Sequence, residues 1–377
     1  MKNIYFLATA LLFCVCLLRL FGSCATSEES LRIAGFDNKG KTNAQDIKFG
    51  SFKCFQLQSN GNQPLQTVKK VIKVDSLLLI SDGNVLSAFN VTGRFLRNYG
   101  VHGHAANEYI NLSTFYLDKT GNIAIIDNFA SKIILFKRDG KWLKTINAKE
   151  GVFRYVQNAT QLDAVHLLVS RYIYNDQNVL YQIINLNNWE TSDNVSTPLR
   201  TDNTMEYAGV HSYSVNRGAV HAVLPFSATI VGMNDANSFT IATSQNVLSE
   251  QELSKIKNFS IMSYQNAILR DNFVGFTDIF ETNNMYLLAF SNLYYCIIPK
   301  NTMHCERYNY EVPEKVHRLP LIGIIAGDDR QLIGVMTPDQ LKNIEIKGND
   351  KKLQSLKRLQ TKLDLNGNPI VLMYELQ

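Results

Sequence analysis

FYLDKTGNIAIIDNFASKIILFKRDGKWLKTI, residues 115–146, contains four short apolar runs separated by three polar breaks. The first break, DKTG at 118–121, and the third, KRDG at 137–140, both end in glycine, and NFAS at 128–131 lies between them. Asp-Gly between two apolar runs is a strong short-range signal for a β-hairpin. The stretch therefore predicts a unit of four short antiparallel strands joined by tight turns.

This unit recurs along the chain at a regular spacing. Phe89, Phe136, Ile183 and Ile230 follow one another at intervals of 47 residues, and each stands near the end of an apolar run that precedes a polar turn. Repeats of about 40–50 residues with four strands each are typical of the blades of a β-propeller. The next equivalent hairpin lies around Ile297, 67 residues beyond Ile230.

The longer interval before Ile297 coincides with LSEQELSKIKN, residues 248–258. This segment predicts an inserted helix, with Ser249 as its cap and Glu252 three residues later. A second polar stretch of helical character, residues 338–365, interrupts the last unit. Six units are then counted, over residues 71–99, 115–146, 154–190, 210–243, 273–310 and 321–376.

The sixth unit is one strand short, and a lone alternating strand at residues 52–57 can supply it. Pairing of the first and last strands in one blade closes the ring and removes exposed sheet edges. The sequence therefore predicts an all-β, six-bladed β-propeller over residues 51–377, with four antiparallel strands in each blade. Such a ring folds as one domain despite its length, and we expect a monomer.

The N-terminal region has the features of a targeting segment. Residues 1–23 combine Lys2, an apolar run that is short for a membrane span, and the small pair Gly22-Ser23 just before Cys24. LFGSC resembles a bacterial lipobox, in which the cysteine is lipidated and becomes the mature N-terminus. Ordinary secretion is the alternative. Residues 24–50 are polar without a sustained period, which predicts a flexible tether.

Charge is concentrated in one segment of the chain. The formal net charge is +5, yet residues 347–362 alone hold six basic side chains and one acidic one. The predicted propeller body therefore lacks a basic stripe, which argues against nucleic-acid binding. Leucines at positions 353, 356 and 359 favour a helix packed on the last blade with a solvated basic face. Contact with a membrane surface is the alternative.

Three passages carry a resemblance to a known family: GRFLRNYGVHGHAANEY at 93–109, the unit at 115–146, and NPIVLMYEL at 368–376. The chain resembles the six-bladed β-propeller lipoproteins of Bacteroidetes, a TolB-like or NHL-like group. The resemblance covers nearly all of the mature chain and implies an outer-membrane lipoprotein, periplasmic or surface-exposed. The loop at 100–111 departs from the family pattern, since it lacks the proline and second glycine before Glu-Tyr. The family has no defined biochemical activity, so the resemblance implies fold and location.

Propellers bind ligands along the central channel and on the face where blade-to-blade loops emerge. Surplus length in such a loop is more often functional than structural, and residues 100–111 form the longest glycine-containing connection between the early blades. We predict a partner site on this face, formed by His102, His104, Asn107, Glu108, Tyr109, Asn128, Arg171 and Tyr172. Glu108-Tyr109 also fits a structural anchor at an inner strand.

The favoured function is a non-enzymatic binding or scaffold propeller that recognises a protein, peptide or glycan of the cell envelope. The alternative is a metal-dependent hydrolase or lactonase acting in the channel, with Glu108, Asn128 and Asp127 as ligands. His102 and His104 also form a His-x-His pair, but no third and fourth ligand can be assigned. No catalytic motif is recognised in the sequence, so catalytic residues remain unknown and no cofactor is predicted.

Two further pairs of side chains have open or modest interpretations. Cys296 and Cys305 fall on the two arms of one predicted hairpin. A cross-strand disulfide and two free thiols both fit that placement. His211 and His221 flank a predicted strand, and we expect both at the surface.

The lipobox predicts how the protein is held in the cell. If Cys24 carries the lipid, a Cys24→Ala variant loses its membrane association and is recovered in the soluble fraction after cell fractionation, because no other predicted segment anchors the chain. Cys54→Ala is the matched control and should fractionate as the unmodified protein does. Envelope association of the Cys24→Ala variant at the original level contradicts the prediction.

Overall fold

The computed structural model describes most of the chain beyond residue 30. The described residues are 31–38, 49–58, 65, 67–175, 178–197, 199, 201–205, 211–234, 236–255, 272–273, 275–290, 294–309, 314–348 and 350–376. The predicted signal peptide and Cys24 lie outside these residues. Among the residues described, no helix is long and apolar enough to cross a membrane.

Six sheets of antiparallel strands form a six-bladed β-propeller, as the sequence predicts. Each blade is numbered in chain order and its strands are given from the channel outward. Blade 1 contains Lys70–Val74, Leu77–Ser81, Leu86–Asn90 and Phe95–Asn98; blade 2 contains Leu112–Leu117, Ile123–Asp127, Lys132–Phe136 and Trp142–Asn147; blade 3 contains Val156–Gln161, His166–Arg171, Val179–Asn185 and Thr191–Ser196.

The second half of the ring follows the same plan with longer connections. Blade 4 contains Tyr213–Asn216, Ala219–Val223, Thr229–Met233 and Phe239–Ile241; blade 5 contains Phe276–Glu281, Met285–Phe290, Tyr294–Pro299 and Glu306–Asn309; blade 6 contains Ile324–Gly327, Gln331–Met336, Ile370–Leu376 and Phe49–Gln56. Three short pairs lie outside the blades: Ile173–Asn175 with Thr201–Met205, Asn246–Val247 with Asn272–Phe273, and Lys315–Val316 with Glu345–Ile346.

The turns of blade 2 explain why the sequence of residues 115–146 predicts its own structure. The Asp118 carboxylate accepts hydrogen bonds from the backbone N–H groups of Thr120 (2.9 Å) and Asn122 (2.8 Å). Gly121 and Gly140 close their turns at φ values of +80° and +91°, a region that favours glycine. Local chemistry therefore fixes the register of the hairpins before any long-range contact forms.

Ring closure follows the predicted scheme. Phe49–Gln56 is the outermost strand of blade 6 and pairs antiparallel with Ile370–Leu376, with Phe52 opposite Tyr374. Tyr374 is fully buried, and its ring lies 5.1 Å from that of Phe49 and 5.3 Å from that of Phe52. Its hydroxyl donates to the Pro320 carbonyl oxygen (3.0 Å). The N-terminal and C-terminal parts of the chain therefore share one blade.

One part of the predicted tether belongs to the fold. Leu31–Ile33 pairs in parallel with Phe239–Ile241 and adds a fifth strand to blade 4. Ile33 and Phe36 are fully buried, and the Phe36 ring meets those of Phe276 (5.9 Å) and Phe290 (5.2 Å) edge-on. The prediction of a tether over residues 24–50 is therefore wrong for residues 31–36, because these side chains fill the space between blades 4 and 5.

Among the residues that the structure describes, three helices are inserted into the propeller. They are α1 (Glu250–Lys255), α2 (Pro338–Lys342) and α3 (Lys351–Gln360). The predicted capping box of α1 is present, since the Ser249 hydroxyl accepts from the Glu252 N–H (3.3 Å) and the Glu252 carboxylate accepts from the Ser249 N–H (2.7 Å). Leu353 and Leu356 of α3 are buried against blade 6, as the leucine spacing predicts.

The apolar core lies between the blades. One cluster joins blades 1 and 2, a second joins blades 2 and 3, and a third joins blades 6 and 1. Two larger clusters join blades 3 to 5 and blades 5 to 6. Each blade therefore buries its faces against its neighbours, and no blade is stable without them.

The buried N-terminal segment yields a stability prediction. Replacing Phe36 with Ala removes a fully buried ring, and core Phe→Ala changes cost about 3–5 kcal/mol, so the free energy of unfolding should fall by about that amount. Leu31→Ala is the control in the same segment, since Leu31 is 53% exposed. Equilibrium urea unfolding measures both variants, and equal midpoints would show that residues 31–36 do not pack as described.

Candidate functional site

Two buried tyrosines anchor the loop at 100–111. Tyr99 is fully buried and Tyr109 is 2% exposed. The Tyr99 hydroxyl donates to the carbonyl oxygen of Arg138 (2.5 Å), and that of Tyr109 donates to the carbonyl oxygen of Asn84 (3.0 Å). Burial raises the pKa of Tyr109 to about 12. Both ends of the loop are thus fixed to the frame, and Tyr109, predicted as a binding residue, serves as one of the anchors.

The loop is also closed internally. The Glu108 carboxylate accepts from the Ala105 N–H (2.9 Å), and a Cβ on Gly103 would lie 2.1 Å from Glu108 Oε2. Glu108 therefore acts first as a loop-closing group, and a side chain at position 103 would displace its carboxylate. His102, His104 and Asn107 are exposed.

A buried aspartate joins this loop to the neighbouring turn of blade 2. Asp127 is fully buried and accepts from the N–H groups of Ile110 (2.8 Å) and Ala130 (3.0 Å). The Asn111 amide donates to Asn128 Oδ1 (2.6 Å). Glu108, Asp127 and Asn128, the metal ligands of the hydrolase alternative, therefore already accept hydrogen bonds that hold the loops together. Within the described ranges, no group of three or more His, Cys, Asp or Glu side chains could hold a metal ion.

Arg171 lies inside the fold. It is 8% exposed, and its guanidinium donates to the carbonyl oxygens of Arg154 and Val152 and to Gln182 Oε1 (2.7 Å). Burial lowers the pKa of Arg171 to about 10. Arg171 therefore stabilises the connection between blades 2 and 3, and the predicted contact with a partner is not accessible to its side chain.

A groove runs along the outer side of blade 2, and we call it the blade-2 groove. Its volume is about 540 Å³, and it is lined by His104, Ala106, Lys132, Trp142, Leu143, Lys144, Thr145 and Asn147. The loop at 100–111 forms one wall, because the Thr145 hydroxyl donates to the Ala106 carbonyl oxygen and Lys132 Nζ donates to that of Ala105 (3.3 Å). Trp142 is 42% exposed and Leu143 36%.

A smaller cavity, of about 170 Å³, brings together other predicted residues. Asn128 and Tyr172 both line it, so the loops of blades 2 and 3 that the sequence places on one face do meet. The remaining wall comes from the innermost strands of blades 1 to 3 and from the turn at Gly83. Lys70 lines this cavity and also the next one, toward the centre of the ring.

The central channel holds a cavity of about 290 Å³, which we call the channel cavity. The innermost strands of all six blades contribute to it, with Lys70 and His211 among the lining residues. Burial lowers the pKa of Lys70 to about 7. Burial and the nearby Lys70 charge together lower the pKa of His211 to about 3. The prediction of a surface position for His211 is wrong, because the turn that leads into the innermost strand of blade 4 places it in the wall of the channel cavity, with its Nε2 buried.

A separate buried charge cluster joins blades 4 and 5. Glu281 accepts from His221 Nδ1 (2.7 Å) and from Lys300 Nζ (2.6 Å), and the Lys300 ammonium lies 4.6 Å from the centre of the Tyr286 ring. Burial opposes ionisation of Glu281, but the two hydrogen bonds hold its pKa below the usual value. All partners are internal to the cluster, so we assign it a structural role. The expected exposure of His221 is wrong, since it is 6% exposed.

The two cysteines of the outer hairpin of blade 5, Cys296 and Cys305, are free thiols. Cys296 and Cys305 are both buried, and Cys296 lies opposite Arg307 in the strand register. A turn centred on residues 300–301 would place Cys296 opposite Cys305. The observed turn lies closer to Cys305, so the two cysteines are not directly opposite each other. Burial and the adjacent Cys305 thiol raise the pKa of Cys296 well above its usual value, so Cys296 is not a reactive thiolate at neutral pH.

The depressed pKa of His211 predicts how stability depends on pH. The unfolded chain protonates His211 near its ordinary pKa of 6.5, whereas the folded protein resists protonation down to about 3. Stability from this group is therefore complete above pH 6.5 and is lost as the pH falls toward 3, by about 2–3 kcal/mol between pH 7 and 4.5. Urea unfolding of His211→Gln should show a flatter acid limb than the unmodified protein.

His104→Gln is the control for this measurement, because His104 is exposed and its loss should leave the acid limb unchanged. Parallel pH profiles for the unmodified protein and the His211→Gln variant would contradict the assignment of a buried, neutral His211.

Known proteins share this architecture. A crystal structure of a candidate exported protein from Bacteroides fragilis matches with a TM-score of 0.70 at 19% identity, over 92% of this chain and 99% of that one. A DUF4221 family member from Bacteroides vulgatus matches with a TM-score of 0.54 at 10% identity, over 88% and 97% of the two chains. No curated protein sequence matches the chain. Residues 29–375 match the family described as Domain of unknown function (DUF4934), and the chain belongs to that family.

Proposed function

We propose that the protein is a non-enzymatic binding propeller of the cell envelope, anchored to the outer membrane through lipid on Cys24, that captures an envelope polypeptide in the blade-2 groove. The lipobox-like sequence before Cys24 supports the anchor. The exposed loop at 100–111 is held at both ends by a buried tyrosine, and this supports the proposal of a rigid recognition surface. A single chain closes the ring, which supports a monomer.

The observation that carries this proposal is the exposure of large apolar side chains around blade 2. Among the described residues, seven large hydrophobic side chains are exposed, and four of them belong to blade 2 or to the loop that leads into it: Val101, Phe129, Trp142 and Leu143. Phe129 is 71% exposed at the tip of its turn. Exposed apolar side chains that share one surface mark interaction sites, whereas scattered ones do not, and Trp142 and Leu143 both line the blade-2 groove.

The chemistry of the groove selects the partner. His104, Lys132 and Lys144 line it and no carboxylate does, so its polar rim favours negative charge. The Trp142 indole offers a large apolar contact, and tryptophan is enriched among residues that dominate binding energy. We therefore infer a polypeptide segment that combines an apolar side chain with acidic neighbours. A neutral glycan would use the indole and leave the lysine ammonium groups without an opposite charge.

This proposal is tested by photo-crosslinking in intact envelopes. A photoreactive residue at position 142 should give a discrete crosslinked species, and one at position 365 should give none, because Leu365 is an equally exposed side chain far along the chain from the groove. Lys144→Glu should reduce the position-142 product by about tenfold, the effect of losing roughly 1.4 kcal/mol.

The melting temperature of Lys144→Glu should change little, since exposed substitutions usually cost under ~0.5 kcal/mol. Identification of the captured species by mass spectrometry then gives its sequence. An unchanged product in Lys144→Glu, or equal products at positions 142 and 365, would argue that the partner binds elsewhere on the ring.

A further inference from the structure

Lys70 is a charged side chain buried on the innermost strand of a blade. It lies at the start of the innermost strand of blade 1 and is 5% exposed. Its ammonium crosses to blades 2 and 3, donating to the Phe115 carbonyl oxygen (2.6 Å) and to Asn158 Oδ1. Contacts to Thr114 Oγ1 and to the Ala159 carbonyl oxygen are both 3.4 Å long, so the third N–H is weakly satisfied.

None of these acceptors carries a charge. In the part of the chain that the structure describes, no carboxylate forms an ion pair with Lys70, whereas the half-buried Lys300 has one. The buried Arg171 also has neutral acceptors, but its guanidinium donates to three of them. A buried ion without an opposite charge is strongly unfavourable, and proteins almost always pair it. The ammonium therefore lacks the partner that its position requires.

The missing charge can be supplied from the channel cavity. Lys70 lines this cavity of about 290 Å³, as does His211. His211 Nε2 is buried and has no hydrogen-bond partner among the described residues, so it offers a second polar contact. The other charged groups that line the cavity are Lys73 and Asp328. Asp328 is occupied by its own turn, since it accepts from the N–H groups of Arg330 (2.8 Å) and Gln331 (3.0 Å).

The rest of the wall limits the ligand further. It combines apolar and aromatic residues, such as Ile72, Tyr116, Ile279 and Phe280, with the neutral polar residues Thr160, Ser214 and Gln331. The volume lies at the lower end of the range for small-molecule sites, which excludes a polymer or a nucleotide. An inorganic anion would satisfy the charge and leave the apolar wall uncovered.

We infer that the channel cavity is a binding site for a small organic carboxylate. Its carboxylate accepts from the Lys70 ammonium, its apolar body covers the aromatic wall, and a further polar group reaches His211 Nε2. The ligand supplies the negative charge that none of the described residues provides to Lys70. This site is independent of the blade-2 groove, because the two share no lining residue.

The test uses the purified full chain and three acids with their neutral counterparts: benzoate with benzamide, hexanoate with hexanamide, and glucuronate with methyl glucoside. At least one acid should raise the melting temperature saturably, and its neutral counterpart should bind at least tenfold more weakly by calorimetry. Lys70→Met keeps the length of the side chain without its charge and should abolish the response. Lys137→Met, an exposed lysine in a turn of blade 2, should retain it.

A second measurement keeps the inference testable if Lys70→Met does not fold. In the unmodified protein, carboxylate affinity should fall at least tenfold between pH 6 and 9, where the acids remain ionised and Lys70 loses its proton. Of the other groups that line the cavity, His211 stays neutral over this range. Absence of saturable binding by all three acids, equal binding of acids and neutral counterparts, or full binding by Lys70→Met overturns the inference.

Discussion

Ring closure is the constraint on which the rest of this structure depends. A propeller blade can bury its two faces only against the blades beside it, so an open ring leaves one apolar face and one strand edge in water. Here the strand Phe49–Gln56 seals blade 6 through its pairing with Ile370–Leu376, and Tyr374 packs between Phe49 and Phe52. The chain then uses the same N-terminal region again, since Leu31–Ile33 extends blade 4 and Phe36 fills the space beside blade 5. Two non-adjacent parts of the ring are thus held by residues that precede the first complete blade.

A closed ring fixes the positions of loops and of the channel wall alike. The loop at 100–111 rests on Tyr99 and Tyr109, whose rings belong to the apolar cluster between blades 1 and 2. Lys70 reaches acceptors on blades 2 and 3 only because the innermost strands of three blades converge on the channel. The blade-2 groove and the buried Lys70 therefore both follow from the closed ring. Polar groups directed outward contact solvent, whereas a polar group directed into the channel needs a partner or a ligand.

The turns and the repeat could be predicted because their causes are local. The Asp-Gly hairpins depend on residues next to one another in the chain, and the spacing of 47 residues repeats from blade to blade. The four residues that mark this spacing all lie in the third strands of their blades: Phe89, Phe136, Ile183 and Ile230. Leu31–Ile33 could not be found, since a three-residue parallel strand depends on a partner about 200 residues away and has no period of its own. The same limit explains Arg171 and Tyr109, which resemble exposed loop residues in sequence and are buried by segments from elsewhere. Lys70 was missed because KVIKV reads as an ordinary strand, and only the converging blades make its ammonium unusual.

The comparison between α3 and Lys70 indicates which charges carry information about function. Helix α3 and its flanks hold most of the excess positive charge, yet Leu353 and Leu356 explain its packing and most of its basic side chains face water. Solvated charges cost little and attract counter-ions from solution, so their number alone implies no partner. One ammonium in the channel is different, since it has lost most of its water and the described residues give it only neutral acceptors. Its desolvation has to be compensated by something, and that requirement gives a single buried lysine more weight than five exposed basic residues.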